Sequence, residues 1–226
     1  MVLGQNNQYY FPKEEPMSDP LLEREATIYH EMMSHIPLFA HRNPQKIAII
    51  DDHDRGIEEE VLKHSTVQEV WQIILHKHAI PSKDARVKYC YGKTNDCLTQ
   101  IEPGSLDILI INNHHIQPDF AYYFKLLNSE GILIQQSESP FKLQALKSMQ
   151  QSILSAGFFD VLPLHFPEPG FTSGWRAAMM AMKQGTIKRP REKDIFNKAF
   201  TTRYYNLDVH RAAFALPEFM RKELGE

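Results

Sequence analysis

Acidic and histidine side chains are concentrated in a short segment that follows a predicted buried strand. Residues 51–56 read DDHDRG and join the strand Lys46–Ile50 to a predicted helix over Ile57–His64. A strand–loop–helix unit that holds a nucleotide needs several glycines in this loop, because the backbone must approach the ligand closely. Here Gly56 is the one glycine of the segment, beside three carboxylates and a histidine. The sequence therefore predicts a nucleotide-binding scaffold with altered chemistry in its loop.

Histidines also follow other predicted strands, and together with the loop they suggest a possible metal site. Imidazole and carboxylate groups at one edge of a sheet are metal-ligand chemistry. The residues concerned are His53, Asp54, His76, His78, His114 and His115. Their spacing matches no compact metal motif, and histidines are common at strand ends. Of three functional interpretations of this chain, a metal- or small-ligand-binding module is therefore the least favoured, and no metal is assigned.

The remaining chain alternates between strand and helix patterns. Asp19 before Pro20 predicts the start of a first helix, which Ile28, Met32 and Ile36 continue on one face. Further strands are predicted over Val67–Ile74, Arg86–Tyr91, Leu106–Ile111 and Gly131–Gln136, helices over Asp119–Asn128 and Phe141–Ala156, and a final hairpin over Phe158–Leu164 and Trp175–Met182. This alternation predicts an α/β fold with a doubly wound, mostly parallel sheet. The apolar run LDILII is its expected central strand.

Composition narrows the class of protein. The chain has 226 residues, 42% of them hydrophobic, and a formal net charge of −3, which argues against a nucleic-acid partner. No apolar run approaches the ~20 residues that span a bilayer, and no secretory signal pattern opens the chain. Cys90 and Cys97 are predicted to be buried free thiols. We therefore expect a reduced, cytoplasmic protein with no membrane partner.

Three stretches carry a resemblance to a known family. They are EREATIYHEMMSHIPLFAH over Glu23–His41, QQSESPF over Gln135–Phe141, and RYYNLDVHRAAFALPEF over Arg203–Phe219. In this order around a doubly wound sheet, they resemble the spermidine synthases, which are polyamine aminopropyltransferases. The resemblance runs from about Pro20 to the C-terminus. It implies a methyltransferase-like, Rossmann-like domain over residues 20–226, preceded by a loose arm over residues 1–19.

The resemblance implies a transferase reaction and the roles of several residues. Spermidine synthases move an aminopropyl group from decarboxylated S-adenosylmethionine to putrescine, without a metal or another cofactor. Tyr29 and His30 match a substrate-contacting Tyr-His pair of the family, and Asp54 matches the aspartate inside its glycine loop. These three residues are therefore predicted to bind substrate.

Aligning the chain with the motifs of this family predicts that the catalytic groups have changed. Asn112 stands where the family has its proton-accepting aspartate, and His115 stands where it has a second acid. Ile74 aligns with the acid that holds the ribose hydroxyls, and Lys93-Thr94 with an Asp-Gly pair near the adenine. Phe171 aligns with a family tyrosine.

These changes predict a pseudoenzyme of polyamine biosynthesis, inactive or weakly active in aminopropyl transfer. The alternative is a working aminopropyltransferase with an unorthodox site that uses Asp54, His30 and His115. The family's N-terminal strand domain is reduced here, so the expected assembly is a monomer or a homodimer, with a genuine spermidine synthase paralogue as a possible partner.

Overall fold

A computed structural model describes residues 20–50, 55–74, 81–113, 118–137 and 139–224, with the side chains from residue 24 onward. Within these ranges the strands are β1 Lys46–Ile50, β2 Glu69–Ile74, β3 Val87–Tyr91, β4 Leu106–Ile111, β5 Leu127–Ser137, β6 Asp160–Pro167 and β7 Trp175–Met182. The helices are α1 Pro20–Ala40, α2 Gly56–Leu62, α3 Thr94–Leu98, α4 Phe120–Leu126, α5 Leu143–Ser155, α6 Glu192–Phe196, α7 Leu207–Ala212 and α8 Glu218–Leu224. The predicted arm over residues 1–19 lies outside the described residues.

The described strands form one sheet in the order β3-β2-β1-β4-β5-β7-β6. All neighbouring pairs from β3 to β5 are parallel, whereas β7 is antiparallel to both β5 and β6. The doubly wound, mostly parallel sheet and the closing hairpin are therefore confirmed. The run LDILII forms the central strand β4, and all six of its residues are buried. A strand covered by helices on both faces tolerates such a continuous apolar run.

Alternate side chains of each strand point to opposite faces of the sheet and build two hydrophobic cores. In β4, Ile108 and Ile110 belong to one core, whereas Leu109 and Ile111 belong to the other. Helices α1, α2, α6 and α7 contribute to the first core. Helices α3, α4, α5 and α8 contribute to the second. The side chains of Met32, Met33, Met179 and Met180 are all fully buried in these cores.

A single carboxylate joins the first helix to the C-terminal part of the chain. Glu31 is 1% exposed, and its two carboxylate oxygens accept hydrogen bonds from three consecutive backbone amides. These belong to Arg203, Tyr204 and Tyr205, at distances of 2.7, 2.9 and 2.7 Å. The contact links two stretches that carry the family resemblance, although 172 or more residues separate them. Tyr205 and Phe214 pack in the same core.

Two neutral histidines form a buried hydrogen-bonded chain beside this contact. His35 Nδ1 lies 2.9 Å from His64 Nε2, and His35 Nε2 lies 3.1 Å from Glu60 Oε2. Phe39, whose ring packs against both imidazoles, helps to exclude water from them. Burial, reinforced by the neighbouring His35, lowers the pKa of His64 to about 2, and burial also lowers the pKa of His35. Both rings are therefore neutral at pH 7.

The prediction of free thiols is wrong. Cys90 and Cys97 form a disulfide, and no other cysteine is present in the chain. Cys90 lies in the edge strand β3 and Cys97 in the short helix α3. Gly92, with a φ of 138°, reverses the chain between them and brings their Cα atoms within 5.7 Å, a separation that a disulfide requires. Sequence spacing alone does not show this approach, because it depends on the direction of the turn.

Replacing Glu31 with alanine is expected to destabilise the fold by about 3 kcal/mol, because three backbone amides lose a charged acceptor. Urea unfolding at pH 7 measures the change. Glu102→Ala is the matched control, since Glu102 is exposed and its loss should change the free energy of unfolding by less than about 0.5 kcal/mol. Equal stability of the two variants would contradict a structural role for Glu31.

The free energy of unfolding should also fall as the pH drops below about 6.5. The unfolded chain then binds a proton at His64, whereas the folded chain, in which the pKa of His64 is lowered to about 2, does not. Between pH 6.5 and pH 5 this one histidine should cost about 2 kcal/mol. Urea unfolding across this range should therefore show a shallower pH dependence for His64→Gln than for the unchanged chain. Parallel curves would argue against a buried neutral His64.

Candidate active site

Polar side chains meet where the central parallel strands end on the α1 side of the sheet. The hydroxyl group of Tyr29, in α1, donates a hydrogen bond to Asn112 Oδ1 and lies 3.2 Å from Gln136 Oε1. Asn112 directly follows β4, and Gln136 lies near the end of β5. The carboxyl ends of such strands are where ligands bind in open α/β sheets. Two sequence-predicted site residues, Tyr29 and Asn112, are therefore in direct contact.

His30 sits against the start of α2. Its imidazole ring lies so close to Gly56 that a Cβ atom built on that glycine would be 2.0 Å from His30 Cε1 and Nδ1. Gly56 follows Arg55, which has a φ of 63° and ends the acidic loop. The single glycine of this loop therefore makes room for a predicted substrate-binding histidine.

An arginine stands beside the tyrosine in the same crevice. The Arg176 guanidinium carbon lies 5.2 Å from the ring centroid of Tyr29 and 4.5 Å from that of Phe171, close enough for cation–π contacts. Arg176 also pairs with both carboxylate oxygens of Glu168. Phe171 thus packs at the crevice rim, where the alignment places a family tyrosine. Sequence analysis missed Arg176, since an isolated arginine after a tryptophan carries no motif signal.

The start of α2 holds a second charge pair. Glu58 is fully buried and accepts hydrogen bonds from the Tyr89 hydroxyl at 2.7 Å and from Arg55 Nε at 3.2 Å. Burial, together with the bond to Glu58, raises the pKa of Tyr89 to about 12. Tyr89 therefore stays protonated and ties β3 to the helix after β1. Three consecutive glutamates, Glu58–Glu60, occur in this helix, and the sequence does not indicate which of them is buried.

On the side of the crevice where the family resemblance places the nucleoside, the two positions that align with family acids are Ile74 and Lys93. Neither of them is an acid. Ile74 is fully buried at the end of β2, and its carbonyl accepts a hydrogen bond from the Gly92 amide at 3.1 Å. Lys93 precedes α3, and Thr94 is its first residue. Neither Ile74 nor Lys93 can supply a carboxylate for ribose hydroxyls or adenine nitrogens.

Several predicted site residues lie outside the described residues. These are His53, Asp54, His76, His78, His114 and His115. The predicted metal or substrate roles of these side chains therefore stay predictions. Within the ranges that the structure describes, no group of three or more His, Cys, Asp or Glu residues could hold a metal ion. The same ranges contain no helix long and apolar enough to cross a bilayer.

The topology defines a methyltransferase-like α/β protein, with a crevice of polar side chains at the strand ends. The family model described as "Spermine/spermidine synthase domain" matches residues 26–191. The chain belongs to the spermine/spermidine synthase family.

Similar proteins support this assignment over most of the chain. A polyamine aminopropyltransferase of Thioalkalivibrio sulfidiphilus is 37% identical over an alignment that covers 90% of this chain and 80% of the relative. Another, of Halorhodospira halophila, is 34% identical and covers 89% of this chain and 81% of the relative. Among solved structures, spermidine synthase from Thermotoga maritima aligns with a TM-score of 0.80, 26% identity, and coverage of 88% of this chain and 74% of that one. A spermidine synthase in complex with the transition-state analogue AdoDATO aligns with a TM-score of 0.82, 26% identity, and coverage of 90% and 76%.

Replacing Gly56 with alanine should displace the His30 ring, because the added Cβ would overlap it. We expect a loss of about 1–3 kcal/mol in the free energy of unfolding, the usual cost of overpacking. The double variant Gly56→Ala, His30→Ala is the control, since removing the ring leaves room for the methyl group. The two substitutions should then be clearly non-additive in urea unfolding. Additive losses would show that His30 does not pack on Gly56.

Proposed function

We propose that this protein is an aminopropyltransferase-family member of polyamine metabolism whose transfer activity is lost or strongly weakened. The observation that carries the proposal is the contact of the Tyr29 hydroxyl with an amide, Asn112, where β4 ends. The family resemblance gives this position to the general base. We therefore infer that the chain keeps the family scaffold but lacks the general base that would remove the proton.

The reaction of the family explains why an amide at this position matters. A primary amine attacks the carbon bonded to the sulfonium of the donor, a carbon–nitrogen bond forms, and the carbon–sulfur bond breaks to release a thioether. The amine is protonated at neutral pH, so it must lose a proton before it becomes a nucleophile. A carboxylate accepts that proton, whereas the Asn112 amide oxygen is a hydrogen-bond acceptor without useful basicity. Loss of a positioned base typically costs ~10²–10⁴-fold in rate.

The charges of the described crevice give further support. Putrescine and the aminopropyl donor are both cations, and cations are held best by anionic walls. Around Tyr29, the described groups are two amides, Asn112 and Gln136, and the Arg176–Glu168 pair, whose charges cancel. These described groups orient an amine by hydrogen bonding and carry no net charge of their own, whereas the carboxylates of residues 51–54 lie outside the described residues.

The nucleoside side of the crevice supports the same conclusion. A family acid that accepts hydrogen bonds from two ribose hydroxyls is replaced by the buried Ile74. Each buried hydroxyl left without an acceptor costs about 1–3 kcal/mol. We therefore propose weak binding of S-adenosyl nucleosides as a second cause of low activity.

Restoring the base in a repaired crevice tests the proposal. The background carries Ile74→Glu, Lys93→Asp, His115→Asp and glycines at positions 51–53, because residues that act as one unit give strongly non-additive effects. Adding Asn112→Asp to this background should raise turnover of putrescine and decarboxylated S-adenosylmethionine by ~10²-fold or more. Release of methylthioadenosine, measured by chromatography, gives the rate.

Asn113→Asp in the same background is the matched control, since it adds the same charge one residue further along the chain. An equal gain from both substitutions would place the base elsewhere. If the unmodified protein already turns over on the order of 1 s⁻¹, the weakened-site proposal is wrong. The unorthodox enzyme that uses Asp54, His30 and His115 then takes its place.

A further inference from the structure

The disulfide between Cys90 and Cys97 joins two small elements at one edge of the sheet. Cys90 lies in β3, which is an edge strand of the described sheet and pairs with β2. Cys97 lies in α3, a helix of five residues, Thr94–Leu98. The bond therefore closes a short loop around the turn at Gly92 and Lys93, which connects the strand to the helix.

The two sulfur atoms of this disulfide differ in their access to solvent. Cys97 is buried and belongs to the second hydrophobic core. Cys90 is partly exposed, and its Sγ atom accepts an exposed hydrogen bond of 3.4 Å from Nε2 of Gln100. Attack on a disulfide depends on which sulfur an incoming thiolate can reach. The sulfur of Cys90 is therefore the one that an external thiolate attacks.

The fold does not require the disulfide, but local opening at this edge depends on it. Thr94, Leu98 and Ile101 are buried, so α3 keeps its core contacts when the two sulfurs are thiols. An edge strand and a very short helix are nonetheless elements that open locally at low cost in free energy. A covalent link between them removes such open states. Reduction should therefore increase local opening over residues 91–99 without unfolding the chain.

We propose that Cys90 and Cys97 form a reversible thiol–disulfide exchange site that reacts with an external dithiol. One thiolate of the dithiol bonds to Sγ of Cys90, the Cys90–Cys97 bond breaks, and Cys97 leaves as a thiolate that takes up a proton. The second thiolate of the reductant then displaces Cys90, which also takes up a proton. The dithiol becomes a disulfide, and two electrons pass to the protein.

The turn that this site controls lies beside the crevice. The Gly92 amide donates a hydrogen bond to the Ile74 carbonyl at 3.1 Å, and Lys93 and Thr94 follow directly. The family resemblance places the nucleoside on this side. The redox state of the pair therefore sets the order of that wall. This consequence rests on the proposed function, whereas the exchange reaction does not, and its test needs neither a ligand nor turnover.

Reduction of the full chain by dithiothreitol, followed by alkylation and mass spectrometry, tests the exchange reaction. In native buffer we expect a rate within ~100-fold of that of the same chain in urea, because Cys90 is reachable without unfolding. Circular dichroism should show that the reduced chain remains folded. A native rate more than ~100-fold slower than in urea would overturn the proposal, since the bond would then react mainly from the rare unfolded chain.

The monothiol glutathione identifies the sulfur that is attacked. Trypsin cleaves after Lys93 and so places the two cysteines in different peptides. After brief exposure in native buffer and an acid quench, the glutathione adduct should be found on Cys90. The same treatment in urea is the control, because both sulfurs are then accessible and both should carry the adduct. A native adduct mainly on Cys97 would overturn the assignment of Cys90 as the attacked sulfur.

Hydrogen exchange measures the effect of reduction on the structure. Amides over residues 91–99 should exchange at least ~10-fold faster in the reduced chain, whereas the amides of α5 should be unchanged and serve as the internal control. The double variant Cys90→Ser, Cys97→Ser should reproduce the reduced pattern and should not respond to dithiothreitol. Equal exchange over residues 91–99 in both redox states would overturn the proposal. Faster exchange throughout α5 would overturn it as well, since the bond would then stabilise the whole fold.

Discussion

The buried carboxylate of Glu31 is the constraint on which the rest of the structure depends. It accepts three backbone amides from residues 203–205 and so fixes the position of α1 relative to the C-terminal segment. A buried charge is costly unless it is fully hydrogen-bonded, and here the backbone itself supplies the donors. Tyr29 and His30 directly precede Glu31 in the same helix. The contact that holds the helix therefore also sets where the two site residues meet the strand ends.

The carboxyl ends and the amino ends of the parallel strands are stabilised by different kinds of contact. At the carboxyl edge, polar side chains contact one another in the crevice, and the described charges occur as pairs such as Arg176–Glu168. At the amino edge, Asp107 accepts backbone amides from Gln45 and Lys46 at 2.7 Å and fixes the entry into β1. The amino ends are therefore stabilised by hydrogen bonds to the backbone, and a substitution of Asp107 would break them. The crevice at the carboxyl ends is assembled from side chains, so substitutions there can alter its chemistry while the fold persists.

Packing constrains several residues of the crevice. Gly56 has no room for a side chain because the His30 ring lies against it, and Glu58 is buried under Tyr89 and Arg55. These residues connect α1, α2 and β3, so substitutions there cost stability as well as function. Asn112 follows β4 and contacts the Tyr29 hydroxyl group, whereas Ile74 is fully buried at the end of β2.

The sequence by itself determined the class of fold, the central strand LDILII, the closing hairpin and the family, because these depend on periodicity and on local motifs. It also indicated Tyr29 and Asn112 as site residues through the resemblance. Only the tertiary structure decided that these two side chains are in contact. It likewise decided that Cys90 and Cys97 pair and that Arg176 enters the crevice. Each of these depends on the direction of a turn or on the approach of distant segments, and one-dimensional spacing does not specify either.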